Sequence, residues 1–150
     1  VHTHSSEGEA GGETGNETTS DLLMMAARSM RRSFGELMAE HDVTPSQARA
    51  LRVVAELEPV RLSVLAERLR IAARSATEVV DALEARSLVA RQPDPADRRA
   101  TSVVQTEAGA RLREKLDEAR RTATEQRLSV LSDIDRAELD RILRLVVAQE

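Results

Sequence analysis

The sequence predicts a mainly α-helical fold with one small β-hairpin. Three observations point there. The 150 residues are dominated by Ala, Arg, Leu, Glu and Val, a composition that suits helices. Over most of the chain the apolar residues recur at spacings of three and four. Only one pair of runs reads as strand, Leu88–Gln92 and Thr101–Gln105, and it brackets a Pro- and Asp-rich turn.

The elements follow in order. Residues 1–20 hold Gly, Ser, Thr and Glu with almost no large apolar side chain, so burial cannot offset the entropy of ordering them and a disordered acidic tail is expected. Leu23, Ala27, Met30, Phe34 and Leu37 form the stripe of a first helix, closed by Asp42 and Val43. Thr44-Pro45-Ser46-Gln47 is a capping-box start with Pro at the first helical position. Ala48, Leu51, Val54 and Leu57 continue that second helix until Pro59 ends it. Val60-Arg61-Leu62 reads as a brief extended stretch. Ser63 is placed to cap a third helix, whose core face is Leu65, Ala66 and Leu69.

Only Arg70 to Ala73 separate this helix from the next pattern, Ala76, Val79, Val80 and Leu83. Two short helices around so tight a turn have the layout of a helix-turn-helix. The two strands follow, joined through Pro93-Asp94-Pro95-Ala96-Asp97, turn chemistry that makes them a projecting hairpin, or wing. Thr106 then caps a long helix through Leu112, Leu116, Ala119, Ala123, Arg127 and Leu131. Asp135-Arg136-Ala137-Glu138 starts a last one carrying Leu139, Ile142, Leu143 and Val146. The expected organisation is an acidic tail (1–20), a winged helix-turn-helix (44–106), and a helical dimerisation region made of 21–43 and 107–150. The outer stripes are too long for a small winged domain to cover, which argues for pairing with a second copy.

Composition narrows the function. The chain has no Cys, three His (His2, His4 and His41) and one aromatic residue, Phe34. Disulfides, thiolate metal sites and cysteine redox sensing are excluded, and neither a His-rich metal site nor aromatic base stacking is expected. No Gly-rich phosphate loop, metal-spaced ligand set or base beside a nucleophile suggests an enzyme, so no cofactor is expected. The longest apolar run, Leu22 to Ala27, is too short to span a membrane, and a cytoplasmic protein is the expectation. The net charge is −4, but five of the 26 acids fall within residues 1–21, where there is no Lys or Arg. The rest of the chain sets 22 cations against 21 acids, so overall acidity does not argue against DNA.

The second helix of the tight pair, Ala73 to Arg86, turns Arg74, Ser75, Thr77, Glu78 and Asp81 away from its apolar face. Arg pairs with guanine, Ser and Thr with bases or phosphates, and Glu accepts from the cytosine amino group. These residues lie near the helix N-terminus, the end that recognition helices present to DNA. On the hairpin tip, Arg98 and Arg99 can cross a phosphate ridge into a minor groove. One of them can instead pair with Asp94 or Asp97 and stiffen the loop.

From Leu65 to Gly109 the chain resembles the multiple antibiotic resistance regulator (MarR) family of transcription factors. The matching runs are Leu65-Ala66-Glu67-Arg68-Leu69, Thr77 to Glu84 and Leu88-Val89-Ala90-Arg91. The most specific are Asp94-Pro95-Ala96-Asp97-Arg98-Arg99-Ala100 and Thr106-Glu107-Ala108-Gly109. Flanking helices extend the likeness over about 21–148. The resemblance implies a homodimer that binds pseudo-palindromic double-stranded DNA, commonly as a repressor, and lets go when a small lipophilic anion binds. It places Arg74, Ser75, Thr77 and Glu78 in the major groove and Arg98 in the minor groove, with Asp97 and Arg99 as a supporting pair.

Three positions depart from the family pattern: Ala72 where Ser or Thr would cap the reading helix, Glu78 where a basic residue is common, and Ser87 where Gly ends the helix in a left-handed conformation. A ligand pocket is expected between the outer helices and the winged domain. Arg28, Arg31, Arg32 and His41 could meet an anion there and Phe34 could stack on it, although solvent exposure is the plainer reading of those side chains. A competing function is a winged-helix protein-interaction module that no longer binds DNA, a reading that Glu78 and the weak net charge favour.

Overall fold

The computed structural model describes residues 17–148. Six helices and three strands run in the order α1 (Thr19–Glu40), α2 (Pro45–Leu57), β1 (Val60–Arg61), α3 (Leu62–Leu69), α4 (Ala73–Ala85), β2 (Val89–Pro93), β3 (Thr101–Gln105), α5 (Glu107–Leu128) and α6 (Asp133–Val147). No helix among the described residues is long and apolar enough to cross a membrane.

Local chemistry sets most helix starts. Thr44 accepts from the Gln47 amide at 3.2 Å while the Gln47 side chain accepts from the Thr44 amide at 3.0 Å, the reciprocal box expected for α2. Thr18 and Asp21 form the same box at α1, which therefore begins at Thr19. Residues 18–20, expected to end the tail, are instead cap and first turn, and residues 1–16 lie outside the described residues. Thr106 caps α5 as expected. Ser63 does not cap α3. The chain turns helical at Leu62, straight from β1, so Arg61 occupies the cap position without a side-chain bond. At α6 the cap is Ser132, which accepts from the Asp135 amide. The helix therefore starts at Asp133, ahead of the expected Asp135, and α5 stops at Leu128, short of Leu131.

The expected hairpin is part of a three-stranded antiparallel sheet in the order β1-β3-β2. Ala90 faces Val104 and Pro93 faces Thr101 across the wing, and Val60 pairs with Val103 on its other side. The brief extended stretch thus becomes the outer strand that covers an edge of β3. One core joins α2, α3, α4 and the sheet. Leu51, Val54, Leu65, Val80, Leu83, Val89 and Val103 are fully buried in it, each stabilising the fold by about 1.5–3 kcal/mol relative to exposure. In α2 Ala50, Leu51 and Val54 are buried, while Ala48 and Leu57 of the expected stripe are only partly so.

The outer helices behave differently. Among the described residues α1 and α6 bury none of their side chains fully, and α5 buries only Gly109 and Leu116. Gly109 marks where α5 docks on the start of the wing. A Cβ there would lie 2.0 Å from the Leu88 carbonyl oxygen. That same oxygen accepts from the Thr106 amide at 3.2 Å, and the Thr106 hydroxyl donates to the Ser87 carbonyl at 2.6 Å. Gly109→Ala must push the helix off this backbone. It is expected to cost about 1–3 kcal/mol, read as a lowered urea midpoint, whereas Gly35→Ala, where a Cβ meets nothing within 4 Å, is expected to be neutral or stabilising.

Candidate nucleic-acid interface

The reading pair is α3 and α4. Arg70 ends α3 in the left-handed conformation at φ 55°, and the Ile71 amide donates back to the Ala66 carbonyl at 3.1 Å. Arg49, reaching over from α2, donates from Nη2 to the Leu69 carbonyl at 3.2 Å and so satisfies a further carbonyl at this end. Helix α4 then starts at Ala73 after Ala72, with no side-chain cap and no acid in its first turn. Its first amides are left for an external acceptor, and the helix dipole favours an anion such as phosphate there.

On α4, Ala76, Val80 and Leu83 are fully buried and Val79 partly so. Arg74, Thr77 and Glu78 are exposed, and Ser75 is half-buried at the edge of the face. Arg74 donates from Nε to Glu78 Oε1 at 3.1 Å, and the Thr77 hydroxyl donates to the Ala73 carbonyl at 3.1 Å, leaving its lone pairs outward. Asp81 faces out as expected, and the wing engages it there. Arg91 of β2 donates from Nη2 to Asp81 at 2.6 Å and through its backbone amide to Glu84 at 3.0 Å, and its Nη1 pairs with Glu84. The far end of α4 is tied as well. Arg86 donates to the Asp42 and His41 carbonyls at 2.5 and 3.2 Å, and Ser87 adopts the left-handed φ of 56° expected at this helix end.

The wing tip is organised around Asp94. Its carboxylate accepts from Arg61 Nε at 3.0 Å and Nη2 at 2.9 Å, from the Ser102 hydroxyl at 2.6 Å, and from the Ala96 and Asp97 amides at 2.9 and 3.0 Å. The side chain is 8% exposed. The Arg61 guanidinium and then the Ser102 hydroxyl hold its pKa well below the usual aspartate range. Arg61 is thus the residue that braces Asp94, in place of a tip arginine. Asp97 supports the tip through the backbone: Oδ1 accepts from the Arg99 amide at 3.0 Å and its carbonyl accepts from the Ala100 amide at 2.8 Å. The Asp97–Arg99 side-chain pair does not form. Arg98 and Arg99 are exposed and carry no ion pair among the described residues.

Between α1, α2 and α5 lies a cleft of about 140 Å³. Phe34, Leu37, Met38 and Leu116 give it apolar walls, and Arg49, Arg52 and Arg120 give it cations against a single acid, Asp117. Of the residues expected at a ligand pocket, only Phe34 lines this cleft. Arg28, Arg31 and Arg32 are exposed along α1, and His41 is half-buried in the turn that Arg86 holds. The three cleft arginines could not be found from the α1 pattern, since they come from α2 and α5.

Residues 43–101 match the MarR family model. The likeness falls on the winged helix-turn-helix of this chain. The HTH-type transcriptional regulator MhqR of Bacillus subtilis is 28% identical over 112 residues, covering 75% of this chain and 77% of MhqR. A MarR family protein from Bacillus stearothermophilus superposes with a TM-score of 0.78 at 25% identity, over 87% of this chain and 91% of that one. A variant of MepR from S. aureus, bound to an oligodeoxyribonucleotide, shares the fold with a TM-score of 0.70 at 19% identity, over 89% of this chain and 99% of that one. Over its winged helix-turn-helix the chain is thus similar to transcriptional regulators of the MarR family.

Asp94 gives a pH test. A carboxylate whose pKa is depressed on folding adds stability that is in full force above its unfolded pKa, near 3.9, and is lost only as pH falls through the lower folded value. Asp94→Asn is therefore expected to lower stability at pH 5–7 and to flatten the acid limb of a Tm-against-pH curve. An unchanged acid limb would show that the Arg61 contact contributes nothing.

Proposed function

We propose that this chain acts as a homodimer on pseudo-palindromic double-stranded DNA, as a repressor. The N-terminal end of α4 enters the major groove with Arg74, Ser75, Thr77 and Glu78, and the wing tip brings Arg98 to the minor groove while Asp97 and Arg99 shape the tip. The observation that carries this reading is the Arg91 clamp. It ties the C-terminal half of α4, through Asp81 and Glu84, to β2 of the wing, which supports simultaneous entry of helix and wing into neighbouring grooves. The relative bound to an oligodeoxyribonucleotide supports it by likeness of fold.

Dimerisation is supported by apolar surface with no partner within the described residues. Leu22, Leu23, Met24 and Met25 on α1, and Leu145, Val146 and Val147 on α6, are each about half or more exposed. A two-fold pair would set two reading helices about 34 Å apart, one turn of DNA. The apolar, arginine-bearing cleft supports release by a small lipophilic anion.

Sedimentation of the full chain at micromolar concentration is expected to give a dimer, and a stable monomer would refute the pairing. Gel shifts with DNA from upstream of its own gene are expected to give a sequence-specific complex that Arg74→Ala and Arg98→Ala each weaken. Arg98→Ala should flatten the salt dependence by roughly one counterion for each Arg98 that meets a phosphate. A protein-interaction module would give no specific complex with any duplex.

A further inference from the structure

We infer that Glu78 is a positioning residue that aims Arg74 at guanine, and that it sharpens sequence discrimination while lowering overall affinity for DNA. The inference rests on the DNA-binding reading above and concerns how α4 reads a base.

Arg74 is the second residue of α4, where the helix dipole disfavours a cation. It is 91% exposed, and a free arginine there would sample many rotamers. One turn on, Glu78 accepts from its Nε at 3.1 Å. That bond occupies the side edge of the guanidinium and leaves the two terminal nitrogens as an end-on fork. This fork is the donor pair that guanine O6 and N7 accept in the major groove. Glu78 also sets a negative charge on a face that must approach phosphates, and that charge weakens every complex, right or wrong in sequence. The remaining acids of α4, Asp81 and Glu84, share a single cation, Arg91, and lie one to two turns further from the N-terminal end. Glu78 is thus the carboxylate on α4 whose charge is offset only by the reading arginine itself.

The test starts from duplexes selected out of a random pool by the purified full chain. Affinities are then measured for the selected site, for copies with single guanines replaced by adenine, and for unrelated DNA. Three proteins are compared: the unsubstituted chain, Glu78→Gln and Glu78→Ala. Gln keeps the acceptor without the charge, whereas Ala keeps neither, and both suit an exposed helix. One guanine per half-site is expected to carry a replacement penalty of roughly 5- to 150-fold, the span of a bidentate base contact. Glu78→Ala should shrink that penalty several-fold and Glu78→Gln should largely keep it, while both bind unrelated DNA more tightly at low salt.

A guanine penalty unchanged in Glu78→Ala would overturn the inference and leave DNA binding standing. So would a loss in Glu78→Gln equal to that in Glu78→Ala with the penalty moved to a cytosine, for then Glu78 reads a base itself. No enrichment of any duplex would overturn the DNA-binding reading, and the inference with it.

Discussion

Apolar surface must be covered, and in this chain two regions meet that demand differently. The winged domain covers its own. Leu51, Val54, Leu65, Val80, Leu83, Val89 and Val103 are fully enclosed, and β1 and β2 flank β3 on both sides. The outer helices leave theirs open, with Leu23 57% and Val146 59% exposed at opposite ends of the sequence. Transfer of such surface out of water contributes about 25 cal/mol per Å², so a second copy has a ready driving force. The proposed pairing, the spacing it would give the two copies of α4 and the two-fold DNA site it would require all follow from this one imbalance.

Within each copy the charged residues do a different task. Surface ion pairs along a helix, such as Arg141 with Glu138, contribute little to stability. The pairs that matter join different elements. Arg61 and Asp94 tie β1 to the wing tip, and Arg91 ties the wing to Asp81 and Glu84 of α4. Arg49 fastens the C-terminal end of α3 to α2, and Arg86 fastens that of α4 to the turn before α2. Planar guanidinium forks suit such bridges because two bonds fix both distance and orientation. A chain with 21 Arg and a single Lys has many of them to deploy. These bridges tie α4 to the wing at Asp81 and Glu84.

The parts of this architecture readable in the sequence are those set by near neighbours. The Thr44 box depends on residues within a turn, periodicity separates the buried Ala76, Val80 and Leu83 from the exposed Arg74 and Thr77, and the uncapped Ala72 and left-handed Ser87 are legible only against the pattern of the family that the chain resembles. Partners across elements were not readable. Asp94 lies 33 residues from Arg61, and nothing in its Pro-flanked turn names that arginine over Arg98 or Arg99. Asp81 fits the outward face by spacing and is claimed by Arg91 only because β2 folds back along α4. The cleft shows the same limit. Phe34 belongs to the α1 stripe, but its cationic neighbours Arg49, Arg52 and Arg120 converge from two other helices. At α6, Ser132 competes with Asp135 for the cap and wins because its hydroxyl reaches the Asp135 amide one turn earlier.

The distance between the two reading helices tests the central claim most directly. The chain has no cysteine, so Thr77→Cys gives each copy a single spin-label site on the exposed face of α4. Pulsed dipolar spectroscopy on the labelled protein should then give one distribution centred near 34 Å, the rise of one DNA turn. No dipolar coupling, or a separation that two successive major grooves cannot accommodate, would contradict the account.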